Sequence, residues 1–181
     1  MRNRANTTCR LWVGGAAALL IALSAPAHDG GFGHSRRAIF LSAEDKGLKL
    51  EYRIVQNRDE ALVELALMDG DRDGQVSAEE KDRYFNARGR QLAASLHART
   101  LDGEAIAVKF IGYELHHSLV QSYRFSLETS AHEILLDDRA FPHKPGRVQV
   151  RHGAGLKIEQ AKPANLAHAE RVSLRITRAN P

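Results

Sequence analysis

One stretch of this sequence has acidic residues at the spacing of a calcium-binding loop. The twelve residues Asp69–Glu80 read DGDRDGQVSAEE, with aspartate at positions one, three and five, glycine at six and glutamate at twelve. Calcium prefers six to eight oxygen ligands, and this order of residue types is typical of an EF-hand loop. Crowded carboxylates repel one another unless a cation lies among them. The spacing therefore predicts a divalent-metal site.

Each predicted ligand has its own role in the loop. Gln75 offers its backbone carbonyl, Ser77 binds directly or through a water, and Glu80 supplies both carboxylate oxygens. Gly74 permits the sharp turn, and Val76 should face the core. A glutamate that gives two oxygens favours Ca²⁺ over the smaller Mg²⁺, so Ca²⁺ is the expected cofactor. The complete predicted ligand set is Asp69, Asp71, Asp73, Gln75, Ser77 and Glu80.

Helical patterns flank the loop on both sides. The segment Arg58–Met68 predicts a helix that Asn57 can cap, and a second helix is expected from about Ser77 to His97. Gly89 weakens the second helix by about 1 kcal/mol relative to alanine and allows a bend there. The apolar positions are Leu62, Val63, Leu65, Ala66 and Leu67 in the first helix and Tyr84, Phe85, Leu92 and Leu96 in the second.

Strand patterns surround this helix-loop-helix, which spans about residues 57–97. Ala38–Leu41 and the alternating segment Leu48–Ile54 predict two strands before it. After residue 98, short strand signals recur, with a hairpin turn at Asp102–Gly103. We therefore expect an α+β fold, an antiparallel β-sandwich of about seven to nine strands with the helix-loop-helix inserted after the second strand. The alternative is an α+β fold with a single curved sheet.

The first 27 residues have the order of a secretory signal peptide. Basic residues precede the apolar run Leu11–Ala25, and Ala25-Pro26-Ala27 supplies small residues for cleavage. The run is shorter than the roughly 20 residues of a membrane span. We expect cleavage near Ala27–His28, a periplasmic or secreted location, and one domain over 28–181 without a transmembrane segment. The alternative is an uncleaved N-terminal anchor.

Removing that segment changes the composition. The Lys and Arg count falls from 26 to 23 against 22 acidic residues, so the net charge becomes +1 and nucleic acid is not expected as a partner. Cys9, the only cysteine, also leaves, which excludes disulfides and cysteine nucleophiles from the mature chain. Hydrolase, phosphate-loop and zinc-protease motifs are absent. We therefore expect a binding protein that is not an enzyme.

Nine histidines raise the question of a transition metal. His28 would be the new N-terminus, where a free amine and an imidazole can chelate copper, and His34 could complete such a second metal site. His116 and His117 are adjacent, so on a strand they point to opposite faces and cannot share one ion. The simpler interpretation is scattered surface histidines. The alternative function is a periplasmic accessory protein that handles nickel, cobalt or copper.

The loop and its flanks resemble the EF-hand superfamily over about residues 57–97. The wider chain resembles the extracytoplasmic N-terminal domain that precedes the membrane helices of some bacterial nickel/cobalt-transporter-like proteins. That likeness rests on the signal ending in Ala-His, the early strands, and the segments Leu67–Glu80, Leu101–Gly103 and Leu136–Pro142. It implies a stand-alone exported relative, with an inner-membrane metal transporter or another envelope protein as partner.

EF-hands usually occur in pairs, and the sequence contains no second loop of this spacing. A lone loop must be supported by the rest of the fold or by a partner chain. We therefore expect a modest calcium affinity, on the order of the 10⁻⁴ to 10⁻³ M of extracellular modules.

Overall fold

The structure is a computed structural model that describes residues 36–117, 119–141, 148–162 and 172–179. In these ranges the chain forms two helices and ten strands in two five-stranded sheets. The predicted α+β sandwich is confirmed, and the single curved sheet is not formed. The strand count exceeds the predicted range by one. The predicted signal peptide lies outside the described residues.

Sheet A combines strands from before and after the two helices, whereas sheet B consists only of strands that follow them. Sheet A has the order β5 (Val108–His117), β6 (Val120–Glu128), β2 (Gly47–Val55), β1 (Arg36–Glu44) and β8 (Val148–His152). Sheet B has the order β4 (Ala105–Ile106), β3 (Leu96–Thr100), β7 (Glu133–Asp138), β10 (Val172–Arg178) and β9 (Leu156–Lys162). Neighbouring strands are antiparallel except for the parallel pair β1 and β8.

The period-two pattern of the sequence produces the core between the sheets. Tyr52 on β2 lies opposite Tyr123 on β6, and both side chains are fully buried. Burying one large apolar side chain contributes about 1.5–3 kcal/mol, so several such pairs supply much of the driving force for folding. The buried core of the strands also includes Ile39, Leu48, Leu50, Ile54, Phe125, Leu127, Ile134, Leu136, Leu174 and Ile176.

A buried polar cluster joins the two sheets inside this core. Asp138 on β7 accepts hydrogen bonds from Tyr52 at 2.8 Å and from Arg37 on β1 at 3.4 Å. The backbone N–H of Ala140 donates to the other carboxylate oxygen at 2.9 Å, and the Arg37 guanidinium lies 5.2 Å from the ring centre of Phe141. Burial raises the pKa of Asp138 and raises that of Tyr52 well above its usual range.

The helix-loop-helix is inserted after the second strand, as predicted. Helix α1 (Arg58–Met68) begins at Asn57, whose side chain accepts a 2.8 Å hydrogen bond from the Glu60 N–H. Helix α2 (Ala78–Ser95) begins with a similar capping box between Ser77 and Glu80. It ends two residues before the predicted limit, because Leu96 already belongs to β3.

Helix α2 packs on sheet A through its apolar residues. Phe85 is buried and stacks on Tyr113 with ring centres 5.1 Å apart. The helix continues without interruption through Gly89, where an added Cβ would lie 2.3 Å from the Phe110 ring. Gly89 therefore provides room for close packing, a role that differs from the bend expected from the sequence.

Helix α1 is present as predicted, but the apolar side chains that the sequence assigned to its buried face point away from the body of the protein. The side chains that face inward are Glu64 and Met68. Helix propensity and capping therefore make this segment helical. The contacts of Glu64 and Met68 determine which side of the helix faces the protein. Leu62, Val63, Leu65 and Leu67 are between 46% and 65% exposed.

Glu64 attaches α1 to the rest of the molecule. Its carboxylate forms an ion pair with Arg88 on α2 and accepts hydrogen bonds from Tyr84 at 3.0 Å and from the Gln121 amide on β6. The same Gln121 amide donates to Gln56, just before α1, at 2.9 Å. A buried carboxylate with several donors can replace an apolar contact as an anchor.

Candidate metal site

The predicted calcium loop connects α1 to α2. Asp69 is the C-cap of α1, and its N–H donates to the Leu65 carbonyl at 3.2 Å. Carboxylate oxygens of Asp69, Asp71 and Asp73 all lie within 4.8 Å of one another. The structure therefore brings together the three aspartates that the spacing selected. Three oxygen donors at such separations are suitable for one hard divalent cation.

Backbone hydrogen bonds hold these aspartates in a tight coil. The two carboxylate oxygens of Asp69 accept from the N–H groups of Asp73 at 3.2 Å and Gly74 at 3.0 Å. Asp73 in turn accepts from the Gln75 N–H at 2.7 Å. Gly74 has a φ of 85°, a left-handed conformation that glycine adopts without steric cost. The predicted sharp turn at Gly74 is confirmed.

Glu80 connects the end of the loop to its beginning. One of its carboxylate oxygens accepts from the N–H groups of Gly70 at 2.7 Å and Asp71 at 3.3 Å. The other accepts from the Ser77 N–H at 3.0 Å and the Ser77 hydroxyl at 2.9 Å. The Ser77 and Gly70 donors lower the pKa of Glu80 to about 2. Glu80 is therefore an anion, but it lies outside the close group of three aspartates.

Two further predicted positions follow from the same coil. Val76 is half-buried and packs against the core, so it anchors the loop as predicted. The Gln75 side chain is exposed, which leaves its backbone carbonyl for the predicted ligand role. Coordination of an ion by both Glu80 oxygens would require them to exchange their present hydrogen bonds for the metal. Its ligand role therefore stays a prediction.

The transition-metal prediction concerns residues that the structure does not describe. His28 and His34 both lie outside the described ranges, so that second site stays a prediction. Within the described ranges, the aspartate group of the loop is the one cluster of His, Cys, Asp or Glu with metal-compatible spacing. All its donors are carboxylates, which suit hard cations better than nickel or copper.

The structure also brings together a serine, a histidine and a glutamate that the sequence does not reveal. On the outer face of sheet A, the Ser122 hydroxyl lies 2.9 Å from His116 Nε2, and His116 Nδ1 lies 3.7 Å from Glu114. However, Ser122 is only 2% exposed, and its hydroxyl also contacts Glu51 at 3.0 Å and Arg53 at 3.3 Å. A nucleophile needs an accessible oxygen and one dominant base. The group therefore acts as a structural hydrogen-bond cluster.

Within the described residues, no helix has both the length and the apolarity to cross a membrane. Comparison with known proteins gives no further identification, because no protein-family model, no curated protein and no solved structure matches this chain.

Proposed function

We propose that this chain is an exported, non-enzymatic calcium-binding protein whose single EF-hand stabilises a helix-loop-helix on a β-sandwich scaffold. The observation that supports the proposal most directly is the convergence of Asp69, Asp71 and Asp73 within 4.8 Å, in a loop with EF-hand spacing. Three like charges at this distance repel one another, and a divalent cation removes that cost.

The donor set supports calcium over other metals. The predicted ligands supply only oxygen atoms, from carboxylates, a carbonyl and a hydroxyl. Soft or borderline metals prefer thiolate and imidazole ligands, and Mg²⁺ demands a small octahedral site. A coiled loop with flexible oxygen ligands suits the larger and less directional Ca²⁺.

The proposed role of calcium is to restrain α1. This helix is held by the buried residues Glu64 and Met68, because its other large apolar side chains are exposed. A metal bound at its C-terminal end would couple α1 to α2 through the loop. A ligand that binds only the folded form stabilises it by about 2.7 kcal/mol at a concentration of 100 times its Kd.

The exposed face of α1 supports an interaction role beside the metal site. Its apolar side chains form a surface next to the loop, and such surfaces often mark sites of protein interaction. We propose that this surface contacts an envelope partner at the membrane. The inner-membrane metal transporter implied by the sequence resemblance is the partner to test first. Replacing Val63 and Leu67 with serine should weaken that contact without changing calcium binding.

Calorimetric titration and thermal melts of the purified protein test the calcium proposal. Calcium should bind with a Kd on the order of 10⁻⁴ to 10⁻³ M and raise Tm by about 5–10 °C at saturation. Asp69→Asn and Glu80→Gln should each reduce that shift strongly. Asp45→Asn, in the turn between β1 and β2, is the matched control and should keep it. Absence of heat and of a Tm shift at 10 mM (~10–100 Kd) calcium would overturn the proposal.

A further inference from the structure

The outer face of sheet A presents basic side chains on every strand. Alternation along each strand directs these side chains away from the buried core. We call this surface the basic face and define it by six residues: Arg36 on β1, Lys49 and Arg53 on β2, Lys109 on β5, Arg124 on β6 and Arg151 on β8.

Three carboxylates on the same face already have basic partners. They form three pairs, Glu51 with Arg53 at 2.7 Å, Glu128 with Lys109 at 2.9 Å and Glu114 with His116 at 3.7 Å. The other four members of the basic face have no carboxylate within ion-pair distance among the residues that the structure describes. The face therefore has an excess of positive charge that its own acidic residues do not neutralise.

An aromatic ring orders two of these guanidinium groups. Phe40 on β1 lies between β2 and β8, with Arg53 4.8 Å and Arg151 5.9 Å from its ring centre. A cation over an aromatic face is held by the quadrupole of the ring. Because these side chains are already ordered, they lose less conformational entropy when they bind a ligand.

Arg124, the member of the basic face on β6, has an unmatched donor. Its Nε is buried and has no hydrogen-bond partner, unlike every other buried side-chain nitrogen or oxygen in the described part of the chain. The guanidinium lies beside Gly112, where a Cβ would be 3.8 Å from Nη2 and where β5 is bulged. Buried donors are normally satisfied, and an unpaired one is unfavourable unless the site gains elsewhere. The protein itself therefore leaves the Nε donor of Arg124 unmatched.

The strand register sets the spacing of these charges. Arg151, Phe40, Glu51 and Arg124 are consecutive partners across β8, β1, β2 and β6. Three inter-strand steps place the backbones of Arg151 and Arg124 roughly 14 Å apart. A planar array of anions matches this spacing, because each guanidinium can bind a separate phosphate.

We propose that the basic face docks on an anionic lipid surface and binds its phosphate-bearing headgroups. A sheet face with separated cations, two of them ordered by Phe40, is complementary to a plane of lipid phosphates. The electrostatic attraction adds about fivefold in binding for each Lys or Arg near such a surface. This docking uses a different surface from the calcium loop, so it should persist when calcium is removed with a chelator.

Co-sedimentation of the purified protein with lipid vesicles tests the proposal. In low salt and excess EDTA, the protein should bind phosphatidylglycerol vesicles and bind phosphatidylcholine vesicles much less. The double variant Arg124→Gln with Arg151→Gln should lower the partition coefficient roughly 25-fold. The charge-matched control, Arg83→Gln with Arg99→Gln, removes two exposed cations outside the basic face and should change it less than threefold.

The docking proposal would be overturned if the protein did not bind the anionic vesicles. It would also be overturned if the two double variants lowered the partition coefficient equally. Full displacement by about 0.01 M inorganic phosphate, at which the Debye length is still roughly 30 Å, would indicate a single-anion site in place of an array. Tighter binding to single-stranded DNA than to vesicles of equal phosphate concentration would assign the face to nucleic acid. Circular dichroism should show that both double variants keep the melting temperature of the unmodified protein.

Discussion

The Tyr52 hydroxyl on β2 donates a 2.8 Å hydrogen bond to the Asp138 carboxylate on β7 and thereby links the two sheets across their buried core. Arg37 reaches the same carboxylate oxygen at 3.4 Å, and both side chains of this ion pair are 1% exposed. A buried ion pair is strongly destabilised when only one partner is removed, because the remaining charge has no water to solvate it.

Asp138→Asn should therefore cost about 3–5 kcal/mol in the free energy of unfolding, since it leaves Arg37 charged and buried. Tyr52→Phe should cost only about 1 kcal/mol, because Asp138 keeps Arg37 and the Ala140 N–H as donors. Urea denaturation measures both values. Glu104→Gln, at an exposed position, is the control. Equal costs for the Asp138 and Tyr52 variants would contradict the assigned role of the ion pair.

The stability of the helix-loop-helix should depend on pH through Glu80. Its pKa is about 2 in the folded protein and 4.5 ordinarily, so the unfolded chain binds more protons between these values. The contribution of Glu80 is thus complete above about pH 4.5 and is lost as the pH falls toward 2. The test compares the Tm of the unmodified protein and Glu80→Gln in EDTA from pH 7 to pH 2. Their difference should shrink below pH 4.5, and a constant difference would count against this assignment.

The ion pair between Glu64 and Arg88 should respond asymmetrically to mutation. Glu64 is only 4% exposed, whereas the Arg88 side chain is 21% exposed and can turn toward water. Arg88→Gln should therefore destabilise the protein by about 3–5 kcal/mol, and Glu64→Gln by less. The double variant should reveal a coupling of about 0.5–3 kcal/mol. Arg90→Gln, on the same helix and exposed, should stay within about 0.5 kcal/mol of the unmodified protein. The reverse order of the two single variants would refute the inward anchoring of α1.

Gly89→Ala should destabilise the protein even though alanine is the better helix former. Helix propensity favours alanine by about 1 kcal/mol, but the new Cβ would overlap the Phe110 ring at 2.3 Å. Overpacking of this kind costs about 1–3 kcal/mol and outweighs the propensity gain. Ala87→Gly, at an exposed position on α2, provides a comparison in which helix propensity acts without packing. It should lower the free energy of unfolding by about 1 kcal/mol.

A rescue experiment separates the two effects at Gly89. In a Phe110→Leu background the ring is absent, so Gly89→Ala should become neutral or stabilising in thermal denaturation. Persistent destabilisation in that background would mean that another contact, and not the Phe110 ring, requires glycine at this position.

The sequence alone was sufficient for features that depend on neighbours along the chain. The period-two pattern at Leu48–Ile54 predicted β2, and capping and turn residues predicted two helices around the loop at Gly74. The spacing also predicted the convergence of Asp69, Asp71 and Asp73, whereas Glu80, the fourth predicted carboxylate, lies outside that group. These features are local because each depends on backbone geometry over a few residues. The insertion of the helix-loop-helix after the second strand followed from the order of the same patterns.

Only the tertiary structure decided what these elements contact. Arg37 and Asp138 are 101 positions apart and meet because sheet A packs on sheet B and brings β1 and β7 together, which no local periodicity encodes. The same holds for Phe110, which explains Gly89, and for Glu64, which faces inward while its apolar neighbours are exposed. Side-chain burial is set by packing between elements distant in sequence, whereas the calcium-type loop is set within twelve consecutive residues.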